Sequence, residues 1–377
     1  MAWKEVTEMK LRDEFIQLSK TANISMSKLC RRFSISRKTG YKWLKRHAEK
    51  GKAGLQNHSR RPKNSPNKTT HKLEELIVNL RNKHPAWGGR KLHARLQAQG
   101  YKDVPPPSTI TNILHRHGLI DEMESSKHKA WHRFEHEAPN RLWQMDFKGH
   151  FAMTQGRCHP LTIIDDHSRF SICLQACGNE TAKTVEEKLI NVFRTYGLPD
   201  RFNVDNGTPW GCSGQARFTT MSVRLIRMGI SVSFSTPMHP QTNGKDERFH
   251  RTLKSELLRY QQIHDMKHAQ YLFDEWRDCY NLERPHEAIN MATPASRYQP
   301  SLRSYSERLE PIEYSPGDVI RKVQAQGFIS YKNRYIKIGG AFYGEIVALR
   351  HTQQNDIFDV YYCHQKITTI NFNDLIN

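Results

Sequence analysis

Leu142-Trp-Gln-Met-Asp-Phe-Lys148 is an apolar run of strand length that carries one carboxylate, Asp146, between Met145 and Phe147. A carboxylate inside such a strand is costly unless it is paired or bound to a metal. Two more strand-like runs follow, Cys158-His-Pro-Leu-Thr-Ile-Ile164 and Phe170-Ser-Ile-Cys-Leu-Gln175, joined at Asp165-Asp-His-Ser-Arg169, and a meander is their natural assembly. Thr181 then caps an amphipathic helix with Val185, Leu189, Ile190 and Phe193 on its core face, ended by Gly197. Arg201-Phe-Asn-Val204 reads as a fourth strand and leads at once into Asp205-Asn-Gly207. Residues 218–228 read as a helix, and Ile230-Ser-Val-Ser-Phe234 as a fifth strand. This order predicts an α/β core with a mixed five-stranded sheet.

The next stretch, His239-Pro-Gln-Thr-Asn-Gly-Lys-Asp-Glu247-Arg-Phe-His-Arg-Thr-Leu-Lys254, is a turn-rich approach to a helix. Counted from Asn243 at helical periodicity, Glu247, His250, Arg251 and Lys254 share one face. Alone, that face is ordinary surface decoration; Asp146 and Asp205 change its reading. If the first and fourth strands lie side by side, their aspartates face each other and repel. A pair of divalent cations would resolve the repulsion, with Glu247 completing an all-oxygen site of the kind Mg²⁺ prefers. Two such ions suit in-line phosphoryl displacement. Taken singly, Asp146 also fits a strand-end turn, and Asp205 an Asx-turn with Asn206-Gly207. The combination, in a chain built to bind DNA, favours the triad. Asp165 and Asp166 fit a hairpin turn more economically. Asp246 points off the basic face, and Glu256 lies more than two turns beyond it.

The case for DNA rests on charge. The 377 residues suggest two to four domains and carry a formal charge of +20, which implies a polyanionic partner. Nucleic acid fits better than a membrane, because no apolar run reaches the roughly 18 residues of a spanning helix. Residues 1–140 hold 29 Lys and Arg against 13 Asp and Glu, while the rest hold 29 against 25. The DNA-seeking part is therefore N-terminal. Within it, residues 1–50 read as a helix-turn-helix domain: Thr7 and Ser25 open two helices, and Ser36 caps a third that carries Arg37, Lys38, Thr39, Lys42 and Lys45. Residues 51–69 are a basic linker. Residues 70–120 repeat the pattern, with Ser108 capping a helix that presents Thr109, Thr111, Asn112 and His115. Residues 121–139 are a connector, and the core with its C-terminal helices spans 140–300.

Beyond it, residues 313–377 show short alternating runs, with Gly339-Gly340 as a hairpin turn, and read as a small β-barrel. Seven unclustered cysteines predict reduced thiols and no zinc. The opening residues lack a secretory signal, so a cytoplasmic protein is expected.

Residues 140–297 resemble the catalytic core of insertion-sequence transposases in the retroviral-integrase superfamily. The matching stretches are Trp143-Gln-Met-Asp146-Phe-Lys-Gly, Asp166-His-Ser-Arg169, Val204-Asp205-Asn-Gly207, His239 through Glu247-Arg, Leu253-Lys254-Ser-Glu and Asn281-x-x-Arg284-Pro-His286. The upstream helical units and the C-terminal segment fit the same likeness. The resemblance implies an RNase H-like fold and a DDE triad of Asp146, Asp205 and Glu247 holding two Mg²⁺, with Mn²⁺ able to substitute and no nucleotide needed. It makes Arg251 and Lys254 contacts to DNA, with His250 on the same face. It also implies double-stranded DNA as partner, a homodimer or higher oligomer on it, and a prokaryotic host in which the DNA-bound protein is nucleoid-associated. The 41 residues between Asp205 and Glu247 exceed the spacing of many relatives, and the extra length falls in Pro209–Thr220.

Overall fold

A computed structural model describes residues 7–21, 23–58, 68–120, 135–212, 217–235, 244–354 and 356–373. The chain divides into two compact units, Met1–Lys68 and Thr69–Asn377.

The first unit holds α1 (Glu8–Thr21), α2 (Met26–Arg32) and α3 (Arg37–Lys50), closed by a 3₁₀ turn at Gly51–Leu55. Phe15, Ile16, Leu29, Cys30, Trp43 and Leu55 form its core. Ser36 caps α3 as expected, accepting from the Thr39 amide at 3.1 Å. The close approach of α2 and α3 depends on Gly40, where a Cβ would stand 2.7 Å from Cys30 Sγ.

The second unit begins with α4 (His71–Lys83), α5 (Gly89–Ala98) and α6 (Pro107–Arg116), built around Ile77, Trp87, Leu92, Leu96, Ile110, Ile113 and Leu114. Ser108 does not cap α6. The helix starts two residues earlier than that cap implies, with Pro107 at its first position, where a missing N–H costs nothing.

The central sheet consists of β1 (Trp143–Phe147), β2 (Phe151–Ala152), β3 (Arg157–Asp165), β4 (Ser171–Cys177), β5 (Arg201–Val204) and β6 (Ser231–Phe234). β1 pairs antiparallel with β3 and parallel with β5; β3 pairs antiparallel with β4, and β5 parallel with β6. The sheet is mixed as expected but has six strands. The extra one, β2, is a two-residue return of the chain onto the start of β3, too short to show a period in sequence. On one face lie α7 (Ala182–Tyr196) and α8 (Thr220–Arg227); Thr181 caps α7, accepting from the Thr184 amide, and Gly197 ends it at φ +76°. Against the other face lie α9 (Gly244–Leu253), which continues as a π turn over Lys254–Leu258, and α10 (Met266–Asp278), burying Phe249, Leu253, Leu257, Phe273 and Trp276.

The C-terminal strands are β7 (Val319–Lys322), β8 (Phe328–Tyr331), β9 (Arg334–Lys337), β10 (Ile346–His351), β11 (Ile357–Tyr362) and β12 (Gln365–Asn371). They do not close into the predicted barrel. β12, β11, β10 and β7 form an open antiparallel sheet, and β8 with β9 a separate ribbon. The hairpin turn is Lys332-Asn333, both at positive φ, not Gly339-Gly340, which opens a 3₁₀ turn. Gln365 covers the edge of β6, accepting from the Val232 amide and donating to its carbonyl, each at 2.8 Å.

Within this unit the α4–α6 module packs on the core near the end of α10. Lys91 on α5 faces Glu256 at 3.6 Å, Arg95 faces Glu283 at 2.9 Å, and Cys279 joins the module's apolar cluster. No described helix is long and apolar enough to cross a membrane.

Candidate active site

The parallel register of β1 and β5 sets Trp143 opposite Phe202 and Gln144 opposite Asn203. Two residues further along, Asp205 falls beside Asp146. Burial and then the charge of Asp205 raise the Asp146 carboxyl from 3.8 to about 7; the Phe147 amide, donating at 2.8 Å, opposes the rise, and Glu247 adds to it. Glu247 sits in the first turn of α9 and is exposed. Asp146 and Asp205 thus lie side by side at one end of the sheet, with Glu247 close enough to add to the rise of Asp146. All three offer hard oxygen donors, and the repulsion between them is a cost that a divalent cation would relieve. The site fits Mg²⁺ or Mn²⁺ in its donor chemistry.

A fourth carboxylate, Asp246, is fully buried next to them. One ligand atom each from Asp146, Asp246 and His250 lie within 4.8 Å of one another. Asp246 is also raised, by burial first and Asp146 second. It does leave the basic face, as its spacing predicts, but it turns into the protein: Asp246, Phe249 and Leu253 form the buried stripe of α9. That stripe was legible as the spacing of three and seven residues to Phe249 and Leu253. The role of Thr162 was not, because only the β1–β3 register sets it opposite Asp146.

His250 does not share the exposed face of Arg251 and Lys254. Its side chain is 13% exposed, its Nε2 lies 2.8 Å from Thr162 Oγ1, and burial drives the imidazole down to about 3, leaving no cation for a phosphate. Arg251 and Lys254 are exposed, as expected of phosphate contacts. Lys148 joins them near the carboxylates; burial, then the Lys254 charge, lowers its ammonium. Asp165 and Asp166 are structural. Asp165 accepts from Ser168 and Asn140 amides at 2.7 Å, while Asp166 accepts from Gln144 Nε2 and the His136 amide at 2.9 Å. The long stretch after Asp205 tucks Trp210 against Phe147, their rings 5.8 Å apart. Residues 213–216, and the approach to α9 at 236–243, lie outside the described residues.

On α3, Arg37, Lys38, Lys42 and Lys45 are exposed, whereas Thr39 is engaged in the helix cap through Ser36, 2.9 Å away. On α6, Asn112 and His115 are exposed and Thr109 half-buried. Thr111 does not point outward: its hydroxyl donates to Pro107 O at 2.8 Å, in the crossing with α5, where a Cβ on Gly89 would come 2.6 Å from its oxygen.

His84, Cys279 and Glu283 also bring ligand atoms within 4.8 Å. There Arg95 already neutralises Glu283, burial and the Lys83 charge lower the imidazole to about 4, and burial pushes the thiol to about 12. This is neutral packing, a poor setting for another cation.

The description "Integrase core domain" matches residues 136–240 and again 228–294. A helix-turn-helix domain matches 12–63, a homeodomain-like domain 39–114, and the C-terminal domain of the IS481 family transposases 318–374. A 31.7 kDa protein of insertion element IS407 from Burkholderia multivorans is 24% identical over 237 residues, spanning 59% of this chain and 79% of its own. A 39.2 kDa protein of insertion element IS476 from Xanthomonas euvesicatoria is 24% identical over 251 residues, 64% and 69% of the two chains. Among solved structures, a chain of a simian T-cell lymphotropic virus intasome aligns with 78% of this chain and 99% of its own at 16% identity and TM-score 0.38. The HTLV-2 integrase catalytic core in complex with magnesium aligns with 43% and 99% at 16% identity and TM-score 0.35.

Proposed function

We propose a specific chemistry for this chain, which belongs to the insertion-sequence DDE transposases of the retroviral-integrase superfamily: it cuts a DNA strand at the end of a mobile element and joins the freed 3′-hydroxyl to target DNA. The observation that carries this reading is the parallel β1–β5 register, which brings Asp205 beside a half-buried Asp146. Asp146, Asp205 and Glu247 would hold two Mg²⁺, or Mn²⁺ in their place. Bound there, the ions would supply an activated attacking oxygen and charge stabilisation at the leaving one. The protein's own work is to hold the carboxylates in place and keep the DNA backbone still beside them. Arg251 and Lys254, exposed on the helix of Glu247, are suited to gripping the phosphates.

In this reading the helical modules of residues 1–50 and 70–120 recognise terminal inverted repeats. Arg37, Lys38, Lys42 and Lys45 are the candidate contacts in the first, Asn112 and His115 in the second. Two ends must be held together, so the active species is a homodimer or larger on DNA, in the cytoplasm and on the nucleoid. The competing reading is a DNA-binding regulator with an inactive core; the complete triad argues against it. Glu247→Gln separates the two. Strand transfer on end-containing DNA should be lost while end binding persists, and a fully active variant would refute the assignment.

A further inference from the structure

α9 carries Glu247, and its own residues fasten it to the sheet on both sides of that glutamate. Ahead of it, Lys245 is ion-paired with Asp166 and donates to its carbonyl at 3.0 Å, and the Asp246 amide donates to Gln144 Oε1 at 3.2 Å. The Asp246 carboxylate receives Thr162 Oγ1 at 3.0 and 3.1 Å. One turn later, His250 Nε2 lies 2.8 Å from the same hydroxyl. Thr162 itself stands opposite Asp146 in the β1–β3 register, with Oγ1 3.0 Å from Asp146 O. A threonine hydroxyl has one proton to give and two lone pairs. Once that proton serves Asp246, His250 completes the arrangement by donating from Nε2.

We infer that Asp246 is a positioning residue: through Thr162 and His250 it sets the register of α9 against β1 and β3, so that Glu247 stands at the Asp146–Asp205 pair before DNA is bound. Asp246 is fully buried, on the inner stripe of the helix, whereas the neighbouring Glu247 is exposed toward the open end of the sheet. The two consecutive carboxylates therefore have separate tasks. Asp246 holds the helix, and Glu247 is left for the metal. The inference rests on the transposase reading for the purpose of the site, but the brace can be measured without it.

The test uses the full chain and its D246N, D246L, T162V and E247Q variants. Mn²⁺ affinity is measured by electron paramagnetic resonance and amide exchange over residues 244–253 by mass spectrometry, alongside strand transfer at rising metal concentration. Asparagine keeps an oxygen for Thr162, so D246N should retain near wild-type affinity and protection. Groups that orient metal ligands typically cost 10–100-fold in affinity or activity when lost, so D246L and T162V should weaken Mn²⁺ binding about tenfold and speed exchange in α9. Strand transfer in T162V should recover partly at high metal. T162V also guards against misfolding of D246L. Wild-type affinity and exchange in both variants would overturn the proposal. So would a D246N variant that loses metal like E247Q while α9 stays protected, because Asp246 would then be a ligand. A wild-type chain that binds Mn²⁺ but never transfers strands would refute the transposase reading alone.

Discussion

Lys91 Nζ stands 3.6 Å from Glu256 Oε1, and Arg284 Nε reaches the same oxygen at 2.9 Å. One carboxylate, in the π turn just past the helix of Glu247, is thus shared by a cation of the α4–α6 module and one of the segment after α10. All three side chains are largely buried, at 18%, 9% and 9% exposure. Removing one partner of a buried pair strands a charge, so Glu256→Ala, which strands two, should cost about 3–5 kcal/mol. Lys91→Met leaves the Arg284–Glu256 pair intact and should cost about 1 kcal/mol or less. Denaturant unfolding measures both; equal losses would show that the pairs do not share the carboxylate.

The crowded carboxylates should make the metal-free protein less stable than it could be. The folded-state value of Asp146 is raised from 3.8 to about 7. The unfolded chain therefore gives up that proton first, and stability falls as pH rises through this window. Asp146→Asn removes the repulsion while keeping an oxygen for the Phe147 amide. At neutral pH the variant should gain on the order of 1 kcal/mol without metal and lose the stabilisation that Mg²⁺ gives the wild type. Melting curves with and without Mg²⁺ read both effects, and a destabilised metal-free variant would contradict the account.

Much of this was legible in the sequence for one physical reason: strands and helices announce themselves by period, and Asp146 breaks an apolar strand where only pairing or metal can offset the cost. Long elements such as α3, α7 and α9 were readable. The two-residue β2 and the Lys332-Asn333 turn were not, because neither has length enough for a pattern. His250 was misplaced because a helical wheel orders side chains by angle without saying where the sheet lies. Angle alone put His250 with Arg251 and Lys254; contact with Thr162 across 88 residues took it inside. The open C-terminal sheet was missed because alternation predicts strands, not whether the first and last of them meet.

Acid should loosen the α4–α6 module. His84 stacks on Trp87, ring centroids 3.9 Å apart, and burial followed by the Lys83 charge lowers its imidazole from 6.5 to about 4. The unfolded chain takes up a proton between those values and the folded chain does not, so stability is lost as pH falls from 6.5 toward 4. His84→Phe keeps the stack and removes the titration. It should flatten part of the slope of melting temperature against pH in that window and leave the rest to other buried histidines such as His286. An unchanged slope would mean that His84 is protonated in place.

The exposed cations at the end of α9 and in the π turn after it can be told apart by salt from the largely buried histidine that precedes them. Each phosphate contact releases counterions, so losing one reduces the slope of log affinity against log salt by about 0.9 on duplex DNA. Arg251→Ala and Lys254→Ala should each lower the slope by roughly that amount and weaken binding to the element's end at physiological salt, with melting temperature nearly unchanged. His250→Ala should do the reverse. It leaves Thr162 short of a partner in a closed site and so lowers stability by about 1–3 kcal/mol, while the salt slope stays that of the wild type because a neutral, buried imidazole touches no phosphate. Titrations of each variant at several salt concentrations, paired with thermal unfolding, decide the matter. A His250 variant with a reduced slope would return that residue to the DNA-binding face.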